Sequence, residues 1–165
     1  KNMQVKINAL PKTIAEFETL MKDLKLTKRE NTCALFLCAL YLYTKNVDDG
    51  IKALNLLRGP RPMTKMDEQF IRDRLRGKEY LAVAYFEGAT PANNYEPSKP
   101  YVLNVFEDPR PQDVEAGYSR VFLETKGADA KRPMKLRQKG DEYFLWEYSS
   151  IVTGIKIPAA QDAWA

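Results

Sequence analysis

Apolar positions in the first half of the chain recur every three to four residues, the spacing of amphipathic helices. In PKTIAEFETLMKDL, Ile14, Phe17, Leu20, Met21 and Leu24 share one helical face behind a Thr13/Glu16 pair at capping-box spacing. Thr27 and Glu30 repeat that spacing just before CALFLCALYLY (33–43), a run apolar nearly all round and therefore expected to be the most buried helix. Asn46 is placed to cap a third helix in VDDGIKALNLL. Its first turn holds Asp48 and Asp49, where the helix dipole favours negative charge, and Gly59 and Pro60 lie beyond its end. Thr64 and Asp67 open a fourth helix, with Met66, Phe70, Ile71 and Leu75 expected on its inner side.

The second half changes period. YVLNVFE (101–107), YSRVFLET (118–125), PMKLRQ (133–138), EYFLWEY (142–148) and IVTGIKI (151–157) are short, β-branched and aromatic-rich, and are bounded by Gly, Pro or Asp. Lys139-Gly140-Asp141 predicts a hairpin turn. Aromatics on both faces of EYFLWEY predict a central strand covered on both sides. Met3, Val5 and Ile7 alternate with polar residues, which allows a short leading strand. Helices first and strands afterwards, without βαβ alternation, predict an α+β fold with an antiparallel sheet of four to five strands. About four helices (1–79) would pack on a sheet half (101–158), joined by a Pro/Tyr loop (85–100). Each half presents one apolar side needing cover, so residues 1–165 are expected to form a single domain.

RENTCALFLCALYLYTKNVDDGIKALNLLRGPRPMTKMDEQFIRDRL, KEYLAVAYFEGATPANNYEPSKPY and GADAKRPMKLRQKGDEYFLWE together resemble an uncharacterised bacterial family of unknown function over nearly the whole chain. The resemblance implies one domain and a bacterial origin. It carries no activity, cofactor or site residue.

Composition narrows the chemistry. Twenty-six Lys and Arg against 22 Asp and Glu give a mildly basic chain, +4, with the two signs interleaved. There is no histidine, which removes Ser-His-Asp and Cys-His catalysis and most zinc sites. Cys33 and Cys38 fit no metal or redox spacing and read as buried free thiols, compatible with a cytoplasmic location. The first residue is lysine, so the possibility of a removed leader stays open. The 33–43 run is too short to span a bilayer. Adjacent carboxylates (Asp48/Asp49, Glu107/Asp108, Asp141/Glu142) sit at caps, strand ends and a turn, which accounts for them without acid/base chemistry. No phosphate loop, nucleophile motif or calcium loop occurs, so neither catalysis nor a cofactor or metal is expected.

Three functional readings follow. The first is a non-catalytic module that binds a protein or peptide. Its surface would be Tyr85, Tyr95 and Tyr101 in the Pro/Tyr loop, with Arg132 and Trp146 as neighbours, since long ordered loops often carry function. The second is single-stranded nucleic-acid binding through Arg72, Arg74, Arg76 and Lys78 and through Lys131, Arg132, Lys135, Arg137 and Lys139 beside Tyr143 and Trp146. The third is a histidine-independent enzyme with carboxylates and an arginine in a cleft between the halves.

Overall fold

The computed structural model describes residues 2–165. Its elements run β1 (Asn2–Ile7), α1 (Ile14–Asp23), α2 (Arg29–Lys45), α3 (Val47–Leu56), α4 (Lys65–Leu75), β2 (Tyr101–Glu107), β3 (Tyr118–Leu123), β4 (Arg132–Lys139) and β5 (Glu142–Glu147). This is the expected α+β order. The five strands form one antiparallel sheet in sequence order, β1-β2-β3-β4-β5.

Local chemistry sets the helix starts. Thr13, Asn46 and Thr64 each accept a hydrogen bond from the backbone N–H three residues on. Asp67 completes a capping box by accepting from the Thr64 N–H at 2.8 Å. The expected Thr27 cap does not form. Residues 25–28 make a turn of their own, in which the Lys25 carbonyl accepts from the Asn31 side chain, so α2 begins one residue later with Lys28 as its cap. Met66 is also misplaced by its periodicity: it lies about 140° round α4 from buried Ile71 and is 83% exposed.

Helix α2 is the centre of the core. Every side chain from Asn31 to Leu40 is buried, packed between α1 and α3 and the inner face of the sheet. That inner face consists of Val5, Ile7, Leu103, Val105, Val121, Leu123, Met134, Leu136 and Leu145, all in the same cluster as the helices. Layer and sheet thus share one core. The two polar side chains in the first turn of α2 are satisfied, Thr32 by the Tyr143 carbonyl at 2.8 Å and Asn31 by Lys25. Burial raises the Cys33 thiol to about 12 and pushes that of Cys38 further still, so neither is a nucleophile in the folded chain.

Two strand expectations are corrected. The fifth strand is the N-terminal one, β1, whereas 151–157 is no strand. The chain turns into a short 3-10 helix at Ser149–Val152, and Gly154 takes φ 64. The carbonyls of Ser150 and Gly154 accept from the Arg132 guanidinium at 2.9 and 3.0 Å, so they are committed to a side chain rather than a ladder. Ile151, Val152 and Ile155 are apolar because they plug the core. Strand β5 is a margin of the sheet rather than its centre. Its Tyr143 and Leu145 N–H groups bond the carbonyls of Leu26 and Leu57, so helical connections close that margin.

Candidate functional site

The Pro/Tyr loop is ordered by its own chemistry, and its exposed positions carry no aromatic side chain. Asn93 bonds Thr90 reciprocally and donates to the Gly88 carbonyl. Asn94 and Tyr95 take φ 58 and 57, and the Asn94 side chain accepts from the Ala160 N–H. Tyr95 is fully buried, stacked on Tyr80 at 5.3 Å, with its hydroxyl donating to the Lys156 carbonyl. Tyr85 is buried and donates to the Ile151 carbonyl at 2.6 Å. Desolvation raises both phenols, Tyr95 to about 12 with Tyr80 adding to the effect, and Tyr85 against the opposing pull of Arg132. Tyr101 packs edge-on against Phe86 at 5.7 Å. Arg132 holds the C-terminal segment, as described. Tyr85 and Tyr95 are therefore structural anchors while Tyr101 is half-buried, and Trp146 lies three strands away from β2, to which this loop is bonded. The expected constellation of Tyr85, Tyr95, Tyr101, Arg132 and Trp146 is not brought together.

The two basic groups also separate. Arg72 lies beside the Tyr43 hydroxyl of α2, on the helical side, and Arg74 covers Phe70. Arg76 is the last cap of α4, and exposed Lys78 follows it. Lys131, Lys135 and Arg137 belong to the outer face of the sheet, and of the helical group Arg74 comes nearest to it, over Phe70, which lines a cleft with Arg61 and Trp146.

That outer face is where aromatic and cationic side chains meet. Phe106 and Phe122 are directly opposed across β2 and β3. Lys131 stands 4.6 Å over Phe106, and Arg120 is 5.7 Å from Phe122. Further along, Lys135 and Arg137 lie 5.5 and 5.1 Å from the Tyr118 ring, and Tyr118 meets Trp146 edge-on at 5.4 Å. Arg61, from the α3–α4 connection, stacks on Trp146 at 3.8 Å, with Arg137 at 5.0 Å. Trp146 has no partner on β4: Lys135 pairs with Glu147 and Leu136 with Leu145, which makes Trp146 the extra residue of a bulge. Beside it lies a cleft of about 320 Å³ lined by Arg58, Pro60, Arg61, Arg137, Lys139, Phe144 and Trp146 among others, and by no carboxylate.

Charge on this face is partly balanced. Arg120 is paired with buried Asp108 at 3.0 Å. Burial acts to raise that carboxyl, but hydrogen bonds from Arg120 and the Arg110 N–H, and the Arg120 charge, hold it below its usual range. Lys135 approaches Glu115 at 4.0 Å. Among the described residues no carboxylate pairs with Arg61, Lys131, Arg137 or Lys139. Arg61 was not a candidate from its sequence neighbourhood; neither were Phe106, Tyr118 and Phe122. The signal for the three aromatics was there, because each falls out of phase with the buried residues of its strand.

The loop carrying Arg61 is held from beneath. Arg58, itself buried, donates from Nε to the Arg61 carbonyl at 3.0 Å and from Nη2 to Asp67 Oδ2 at 3.1 Å. Asp67 is thus both a helix cap and the counter-charge for a buried guanidinium. Replacing Asp67 with Ala should destabilise the chain by about 2 kcal/mol in urea denaturation. That is less than a fully buried pair, because the carboxylate is a third exposed. Asp67→Asn should recover part of this. A loss below about 0.5 kcal/mol for Asp67→Ala would show that water compensates Arg58 instead.

Among the described residues no group of three or more Cys, Asp or Glu is placed to hold a metal ion, and no helix is long and apolar enough to cross a membrane. Fold and face together define an α+β domain whose outer sheet face carries cations over half-buried aromatic rings. Residues 9–159 match the family described as a domain of unknown function (DUF6935), and the chain belongs to that family. Comparison with curated proteins and with solved structures returned no match.

Proposed function

We propose that the domain is a non-catalytic binding module whose contact surface is the outer face of the sheet and whose partner is anionic there. The observation that carries this reading is the set of four cations, Arg61, Lys131, Arg137 and Lys139, that lack a carboxylate partner while three of them lie against aromatic rings. A solvated surface interleaves its charges. Here three of the four cations, Arg61, Arg137 and Lys139, border a cleft without a carboxylate, an arrangement that draws in a partner of opposite charge. The carboxylate–arginine pairs among the described residues, Arg58–Asp67, Asp108–Arg120, Arg29–Glu107 and Arg110–Asp113, each engage their charges with one another, which argues for binding over acid/base catalysis. Two buried free thiols suit a cytoplasmic setting for this role.

The test is binding of fluorescent heparin at low ionic strength, followed by anisotropy. Arg61→Glu with Arg137→Glu should weaken binding at least ten-fold. Arg72→Glu with Arg76→Glu, on the helical side, should change it less than three-fold. Equal losses for both pairs would mean that only net charge matters, and the sheet face would then have no special role.

A further inference from the structure

We infer that the anionic partner is a single-stranded nucleic acid, whose bases stack on the rings of the outer sheet face while its phosphates meet Arg61, Arg137, Lys139 and Lys131. This rests on the binding surface proposed above and names its ligand. A polyanion without rings needs only charge. This face spends outward strand positions on large, half-buried flat side chains instead: Phe106 on β2, Phe122 and Tyr118 on β3, and Phe144 and Trp146 on β5, with the cations of β4 between them. Rings for bases and cations for the backbone are the two components that unspecific single-strand recognition requires.

Geometry separates two stacking positions. Phe106 and Phe122 form one, under Lys131. Tyr118 and Trp146 form the other, under Arg137 and Arg61. They span β2 to β5, three strand spacings or about 14 Å, which suits separated, non-adjacent bases of a splayed strand rather than a stacked duplex. The bulge at Trp146 has a clear use here, because an extra residue re-aims its side chain out of the regular pleat. Arg61 covers one face of that indole without closing the site. A guanidinium plane stacked on a ring extends the platform, and its N–H edges remain free for a phosphate. The cleft beside it, about 320 Å³ and free of carboxylates, gives one base room between Phe144, Trp146 and the two arginines.

The experiment uses the full chain with Trp164→Phe, which leaves Trp146 as its sole tryptophan. A labelled single-stranded oligonucleotide of about ten residues is titrated at several salt concentrations, against a duplex of the same sequence, heparin and polyglutamate. The single strand is expected to bind more than ten-fold tighter than the duplex and to quench Trp146 fluorescence. The slope of log K against log salt should be about −2 to −3, from four phosphate contacts at most. Trp146→Ala should weaken binding about ten-fold or more with little change of slope, whereas Arg61→Ala should flatten the slope by about 0.7. Arg61 is exposed, so its variant remains informative if Trp146→Ala folds poorly. Heparin and duplex bound as tightly as the single strand, with no response to Trp146→Ala, would overturn the base-stacking inference and leave the cationic binding surface standing. Preference for polyglutamate would overturn it in favour of an acidic protein segment. No binding of any polyanion at low salt would remove both readings.

Discussion

Tyr95→Ala should destabilise the domain by about 3–5 kcal/mol, a fall in melting temperature of roughly 6–20 °C for a chain of this size. Two losses add. The ring leaves a fully buried site where it stacks on Tyr80, and the Lys156 carbonyl loses its donor. Tyr95→Phe separates them: it keeps the stack, removes only the hydroxyl, and should cost about 1–2 kcal/mol. The geometry also forbids simple replacement from the other side, since a Cβ on Gly127 would stand 2.2 Å from the Tyr95 hydroxyl. Calorimetry on the two variants decides the matter. A change below 1 kcal/mol for Tyr95→Ala would mean that the loop is not an anchor and would return its tyrosines to the list of contact residues.

Gly50→Ala is expected to be nearly as damaging, with the opposite sign to what helix propensity alone suggests. In an isolated α3, alanine would stabilise by about 1 kcal/mol. In the folded chain its Cβ would lie 2.4 Å from the Tyr43 Cα, which is backbone of α2 and cannot turn aside. Helices α2 and α3 would have to separate along a contact that also buries Ala53 and Leu54. A loss of about 3 kcal/mol is expected, at the upper end of overpacking effects. Chemical denaturation at constant m-value would measure it; a gain in stability would show that the helix pair has slack.

The helical half was readable because local and global demands agree there. An all-round apolar run is the most buried helix, and three of the four start signals are made by side chains that reach their own first turn. The sheet was less readable at its ends. IVTGIKI has the residue types of a strand, but Arg132, Tyr85 and Tyr95 donate to its carbonyls, a set of long-range contacts that accompanies its becoming a plug. EYFLWEY carries aromatics on both sides although its outer ones, Phe144 and Trp146, are only half-buried on the outer face, a distinction that periodicity cannot draw. For the site, Trp146, Lys131, Lys135 and Arg137 had been singled out from the sequence, but the partners that give them meaning had not. Arg61 stands in a Gly/Pro connection whose position depends on the Arg58–Asp67 pair, a tertiary fact. Tyr85 and Tyr95 are internal for a simple reason: a phenol whose hydroxyl finds a buried carbonyl can be wholly internal.

The closed margin at β5 has one more implication, for association between copies of the chain. Among the described residues β1 takes part in no backbone hydrogen bonds beyond its ladder with β2, while β5 spends its outward N–H groups on Leu26 and Leu57. Only one side of the sheet can therefore accept a further strand. Two copies joined through β1 would show a sealed margin at each outer end, and a third would find no template. Strand addition by this route terminates at a pair, so the topology protects the fold against open-ended fibre growth.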